Sequence, residues 1–125
     1  LLILTSASPG RGLNPQPVLE SARWVEQINR AYASLFTTFV LHANRVGYED
    51  GLNFWGGSTI FDPNGELIAR APYHKEALIV QQIDLNQLHR TRTRLPLLRD
   101  ERTDLVLREM RGILANQDPH PLTKY

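Results

Sequence analysis

Apolar residues in this chain come in short blocks whose spacing changes from one block to the next. Residues 1–5 are apolar up to Thr5, the pattern of a strand buried on both faces. Small and turn-forming residues over 6–12, then Asn14-Pro15-Gln16-Pro17, continue as a loop. Proline suits the first helical turn, so a helix is predicted from about Pro17. Val18, Ala22, Val25, Ile28, Tyr32 and Leu35 recur at helical steps and make one apolar stripe. Glu26 and Arg30 fall one turn apart on the outer side.

Residues 36–43 turn aromatic and β-branched, which predicts a second strand and a strand-helix-strand crossover. Residues 44–57 then read as a long glycine-containing loop of the kind that forms sites. Residues 58–61 and 66–71 are strand-like on either side of Asp62-Pro63-Asn64-Gly65, whose proline and glycine suit a tight hairpin turn. Residues 77–85 alternate as a further strand, and Asp84 and Asn86 are placed to cap a short helix. A last helix over 97–114 turns Leu98, Leu105, Val106, Met110 and Ile113 inward. Residues 117–125 carry two prolines and no apolar pattern, and read as a tail.

Composition narrows the possibilities. The 125 residues allow one domain at most, and 42% hydrophobic content is too apolar for disorder. A formal charge of +1 removes any global electrostatic case for nucleic acid or an acidic membrane as partner. No apolar run approaches the roughly 20 residues of a membrane helix. With Cys 0, a disulfide framework, a thiolate metal site and a cysteine nucleophile are all excluded within these residues. The same absence suits a reducing compartment, and a cytoplasmic location is expected. The opening Leu1-Leu2-Ile3-Leu4 lacks an initiator Met or a polar lead-in, which leads us to expect a piece of a longer protein.

Asn44-Arg45-Val46-Gly47 after a strand, Phe54 with Gly57-Ser58, and Asp62-Pro63-Asn64-Gly65-Glu66 form an ordered set of motifs. Glu76 before a strand ending Ile83-Asp84-Leu85 follows, then Pro96, Arg99-Asp100, Arg102 and Asp104-Leu105. In that order they resemble the carboxyl-terminal part of the nitrilase, or carbon-nitrogen hydrolase, superfamily. The resemblance implies an α/β fold, part of a nitrilase-type αββα sandwich, over residues 1–115, with 116–125 as the tail. Leu35-Phe36 stand where many members carry a Glu-Asn pair, which leaves the subfamily open.

The family cleaves non-peptide C–N bonds of amide, carbamoyl or nitrile substrates through a glutamate base, a lysine and a cysteine. By the resemblance all of these lie upstream of the part matched by residues 1–8, so no residue here is assigned a catalytic role. Glu20, Lys75 and Glu76 do not match the triad positions. A substrate-shaping role is implied instead, with a small-molecule amide or carbamoyl compound as partner. Ser8, Arg11, Asn44, Glu49 and Trp55 are the candidate substrate-binding residues. Ser8 follows a core strand, and Arg11 has the geometry for a substrate carboxylate. Asn44 ends a strand where it can tie down the next loop, and Glu49 and Trp55 belong to the long loop. A non-catalytic sandwich remnant serving in binding or assembly is the other reading, motivated by the missing thiol.

No cofactor is implied. His42, His74, His89 and His120 show no metal-ligand spacing, so no metal is expected. The basic run His89-Arg90-Thr91-Arg92-Thr93-Arg94 lacks aromatic stacking partners and is read as a solvated or subunit-facing surface, not a nucleic-acid site. Family members commonly assemble, so the full-length protein is expected to be a homo-oligomer.

Overall fold

The computed structural model of the chain describes residues 1–10, 19–97 and 99–116. The first apolar block forms β1 (Leu2–Ser6), helix α1 spans Glu20–Leu35, and β2 spans Val40–Asn44. The expected crossover is present: β1 and β2 pair in parallel, with Leu2 beside Val40 and Ser6 beside Asn44. Strand β2 starts later than its composition suggests, because Thr37 takes a positive φ of 44° in the turn that follows α1. Pro17, and with it the predicted helix start, lies outside the described residues.

Two more strands extend this sheet. Strand β5 (Thr59–Phe61) runs antiparallel to β2, and β6 (Leu67–Arg70) antiparallel to β5, giving the order β1-β2-β5-β6. Between β2 and β5 lies the main local correction to the sequence reading. The expected loop is instead a hairpin of β3 (Val46–Glu49) and β4 (Leu52–Trp55). Asp50 and Gly51 turn it with φ of 50° and 78°. Positive φ at both central residues is what a two-residue turn needs to match strand twist, and Asp-Gly supplies it at low cost.

The core lies between α1 and one face of the four-stranded sheet, where Ala33 packs on Val40 and Phe61 with Leu2 and Leu4 beside them. The buried line of α1 is Ala22, Asn29 and Ala33, whereas Tyr32 and Leu35, expected inward, are 43% and 60% exposed. Small residues let the helix backbone approach the sheet, and the larger apolar side chains flank that contact. Glu26, expected on the outer side with Arg30, is turned toward Tyr73 and Arg70 instead. Strand β1 alternates half-buried and exposed, and Ile3 is 63% exposed. Burial on both faces is therefore corrected to burial on one, since no second layer covers β1 among the described residues.

Beyond β6 the chain departs further from its pattern. Residues 77–85 form no strand, and Leu78 and Val80 are almost fully exposed. Alternation qualifies a segment for a sheet, but these residues pair with neither edge strand, β1 or β6, among the described residues. The cap position of α2 (Asn86–Arg94) falls on Leu85, between the two expected residues. Asn86 opens the helix, and Asp84, one residue before the cap, accepts from the Asn86 backbone N–H through its Oδ1 at 2.9 Å. The last helix, α3 (Thr103–Asn116), starts later than expected and buries no residue. Leu105, Val106, Met110 and Ile113 are solvent-facing, not inward, and Leu98 and the tail lie outside the described residues. No described helix is long and apolar enough to cross a membrane.

The Asp62–Gly65 turn anchors α2 to the sheet. Asp62 Oδ1 accepts from the backbone N–H of Asn64 at 2.8 Å and of Glu66 at 2.9 Å, and Oδ2 accepts from Gln87 Nε2 at 2.5 Å. Burial raises the Asp62 pKa, but these donors outweigh it and hold the carboxyl below its usual value. Asp62→Ala is expected to cost about 1.5–3 kcal/mol, the range for hydrogen bonds to a charged group. A lower urea midpoint at unchanged slope checks it. Asp62→Asn, which keeps one acceptor oxygen, should fall between.

Candidate functional site

Parallel β1 and β2 end side by side at Ser6 and Asn44, and the chain leaves both strands on the same side of the sheet. α/β proteins commonly bind ligands just beyond such strand ends. Here the segments are tied together by one side chain. Asn44 Oδ1 accepts from the Ser8 backbone N–H at 3.0 Å, and Asn44 Nδ2 donates to the Gly56 carbonyl at 2.8 Å. Its own backbone N–H donates to Ser58 Oγ at 3.0 Å. The Ser6 and Ser8 hydroxyls are 2.7 Å apart, and one donates a hydrogen bond to the other. Backbone bonds close the knot: Arg45 N–H to Ser6 O at 2.8 Å, Gly56 N–H to Arg45 O at 2.9 Å, and Gly10 N–H to Asn53 O at 2.6 Å.

Ser8 and Asn44 are thus brought together, 36 positions apart in sequence. Glu49 sits on the β3–β4 hairpin, exposed, and accepts from Arg45 Nη1 at 2.5 Å. That hydrogen bond and the charge behind it lower the Glu49 pKa. Arg45 also lies over the Phe54 ring, 4.7 Å from its centre. Trp55 is fully buried, its ring 6.3 Å from that of His42 and 6.0 Å from that of Tyr73, so it meets the sheet's α1 side rather than solvent. Arg11 lies outside the described residues.

Sequence reasoning missed the supports. Ser6, Ser58 and Gly56 complete the hydrogen bonds of Asn44, and serine and glycine at strand ends carry no signal that separates them from ordinary turns. Tyr73 was missed too. Its hydroxyl donates to Glu26, Arg70 Nη1 approaches both at 3.5 and 3.3 Å, and burial followed by the Glu26 bond pushes its pKa up to about 12. The Tyr73 ring leaves room only for glycine at position 57, where φ is +60° and a Cβ would fall 2.5 Å from the ring.

Recesses among the described residues line α1, with Arg23, Gln27 and Arg30, and two sides of α2, with Gln87, Arg90 and Arg94 on one and His89, Arg92 and Pro96 on the other; none of these includes Ser8 or Asn44. The basic run of α2 is engaged internally: Arg90 with Asp84 at 2.7 Å, Arg92 with the Thr37 carbonyl at 3.3 Å, and Arg94 with Asn64 Oδ1 at 2.7 Å. Among the described residues no group of three His, Asp or Glu side chains is placed to hold a metal.

His42 gives the region a pH response. Burial lowers its pKa below 6.5, opposed in part by the nearby Glu26 carboxylate. The unfolded chain therefore takes up a proton at a higher pH than the folded one. The neutral-His42 contribution is complete above 6.5 and is lost as pH falls from there through the lower folded value. Urea midpoints are expected to drop between pH 7 and pH 5, and His42→Phe should flatten that slope.

The family model for carbon-nitrogen hydrolases matches residues 3–93. The chain is 27% identical over 100 residues to the 2-oxoglutaramate amidase of Paenarthrobacter nicotinovorans, covering 80% of this chain and 33% of that protein. It is 32% identical over 114 residues to the N-carbamoylputrescine amidase of Arabidopsis thaliana, covering 82% of this chain and 38% of the relative. The chain thus spans only 33% to 38% of the length of these curated relatives. Among solved structures, a carbon-nitrogen hydrolase from Helicobacter pylori G27 superposes with a TM-score of 0.63 at 30% identity, over 82% of this chain and 38% of the other.

Proposed function

The chain belongs to the carbon-nitrogen hydrolase family, and from that premise we propose that it is the substrate-shaping part of an enzyme that hydrolyses a small-molecule amide or carbamoyl compound. Its α/β layers are part of the nitrilase-type sandwich expected from the sequence. The observation that carries the proposal is the Asn44 knot, which fixes Ser8 and the Gly56 turn at the ends of the parallel strands. Ser8 and Arg11 then meet the polar end of the substrate, and the Asn44 knot keeps the entrance loops in place. Glu49, Arg45 and the buried Trp55 hold the hairpin that borders them.

The reaction itself needs groups that the chain does not contain, since it has Cys 0. A thiolate attacks the amide carbon, a lysine ammonium and backbone N–H groups stabilise the oxyanion, and a glutamate moves the proton to the leaving amine. Under this proposal those residues come from a segment outside the 125. The outer face of β1, with exposed Leu1 and Ile3, is where the second sheet of the sandwich would pack. The exposed apolar side of α3 would serve assembly into a homo-oligomer. The reading frame upstream of Leu1 tests this: it should encode a glutamate, a lysine and a strand-terminal cysteine, and a frame without them removes the enzyme reading. The absence of a thiol favours one other reading, a non-catalytic binding or assembly module, which requires the 125 residues to be monodisperse and to unfold cooperatively by themselves.

A further inference from the structure

The interior side of α1 carries polar atoms that the fold leaves without partners. Asn29 is 3% exposed, His42 5%, Trp55 0% and Thr59 1%. Asn29 Nδ2, His42 Nδ1, Trp55 Nε1 and Thr59 Oγ1 are buried and make no hydrogen bond among the described residues. Buried polar groups in folded proteins are almost always paired, so four together in one interface call for a ligand.

Their positions share one side of the sheet. His42 and Thr59 are directly opposite each other on β2 and β5. The Trp55 ring lies against that of His42. Asn29 lies on the buried line of α1, one turn before Ala33, and Ala33 packs on Val40 and Phe61, the neighbouring same-face pair of the same two strands. Helix α1 packs against both β2 and β5, and the charge of Glu26, a turn earlier on the helix, is felt at His42.

The chemistry of the set selects the ligand. Trp55 Nε1 and Asn29 Nδ2 can only donate, His42 Nδ1 accepts in the neutral tautomer with its proton on Nε2, and the Thr59 hydroxyl can do either. An anion would find no use for the imidazole lone pair, and a cation would face two N–H donors. A water molecule receives two hydrogen bonds and gives two, and buried waters typically bridge about three otherwise unpaired groups. We propose that Asn29, His42, Trp55 and Thr59 form a binding site for one ordered water buried between α1 and the sheet.

Such a water links the helix to the segment that carries the Asn44 knot, because Trp55 immediately precedes Gly56, whose carbonyl Asn44 holds. It does so whether or not the chain belongs to an active enzyme. The test is a crystal structure of the chain at atomic resolution, alone or joined to its upstream segment. A peak within about 3.2 Å of at least three of these atoms is expected. Side chains paired with one another, or a space closed by repacking, would overturn the site. Oxygen-17 relaxation dispersion of water supplies a second reading in solution. The wild-type chain should show a long-lived internal water whose contribution falls in Thr59→Val, a near-isosteric change that removes one partner. Unchanged dispersion in that variant contradicts the proposal, and if Thr59→Val does not fold, the wild-type crystal still decides.

Discussion

Asn44→Ala is expected to lower turnover of the enzyme completed by its upstream segment by about a hundredfold, the scale set by displacing a substrate-positioning segment by about an ångström. The side chain is the only one that bonds to both the Ser8 and the Gly56 segments among the described residues. Its removal leaves the Ser8 N–H and Gly56 carbonyl without their partner, so stability should fall as well, by about 1–3 kcal/mol. Asn44→Asp separates the halves of this role. The acceptor for Ser8 is kept while the donor to Gly56 is lost, and activity should lie between wild type and Asn44→Ala. Steady-state kinetics beside a urea titration check both. A stability loss without a rate loss would make Asn44 a fold residue only.

The largest stability effect is expected at Trp55. Its side chain is fully buried, with His42 on one side and Tyr73 on another, and an added Cβ at Gly57 would lie 2.9 Å from its ring. Trp55→Ala should cost about 3–5 kcal/mol from lost burial and the cavity left behind. Domains of this size are typically stable by only about 5–15 kcal/mol. Thermal denaturation should therefore show a drop of well over ten degrees, at about 4–8 °C per kcal/mol for small domains. Trp55→Phe keeps most of the apolar volume and should lose clearly less. Equal losses for the two would mean that the indole N–H, not the ring, carries the effect.

The parts of this fold that could be read from sequence are those settled locally. Asp62-Pro63-Asn64-Gly65 forces a turn whatever surrounds it, and the hairpin of β5 and β6 follows. The strand-helix-strand order likewise leads to parallel β1 and β2. Residues 46–55 failed differently: the Asp50-Gly51 turn signal was present, but the flanking strands are short and weakly alternating, so the segment resembled a loop. For residues 77–85 the alternation was real, and no strand formed because pairing depends on a distant edge. The α3 stripe shows which side of the helix is apolar without saying what it meets. Asn29 was missed because a periodicity count treats asparagine as an outward residue, whereas here it sits between two buried alanines.

The site divides along the same line. Ser8 and Asn44 were found through a motif resemblance, and their contact closes only when β1 and β2 pair. The bracing by Glu26, Arg70 and Tyr73 joins residues 44 and 47 positions apart and has no sequence period to announce it. Glu26 in particular looked like half of a helical surface pair with Arg30, because spacing along a helix does not reveal which side the sheet will cover.

The claim that this chain shapes the pocket for a nucleophile carried elsewhere is tested most directly by reconstitution. The 125-residue chain, the upstream segment and their mixture are each incubated with an amide and an N-carbamoyl substrate, and released ammonia is measured. The account expects no release from either part alone, release from the mixture, and loss of that release when the upstream cysteine is changed to alanine. Ammonia release by the 125-residue chain alone, or an inert mixture of parts shown to associate and fold, would contradict it.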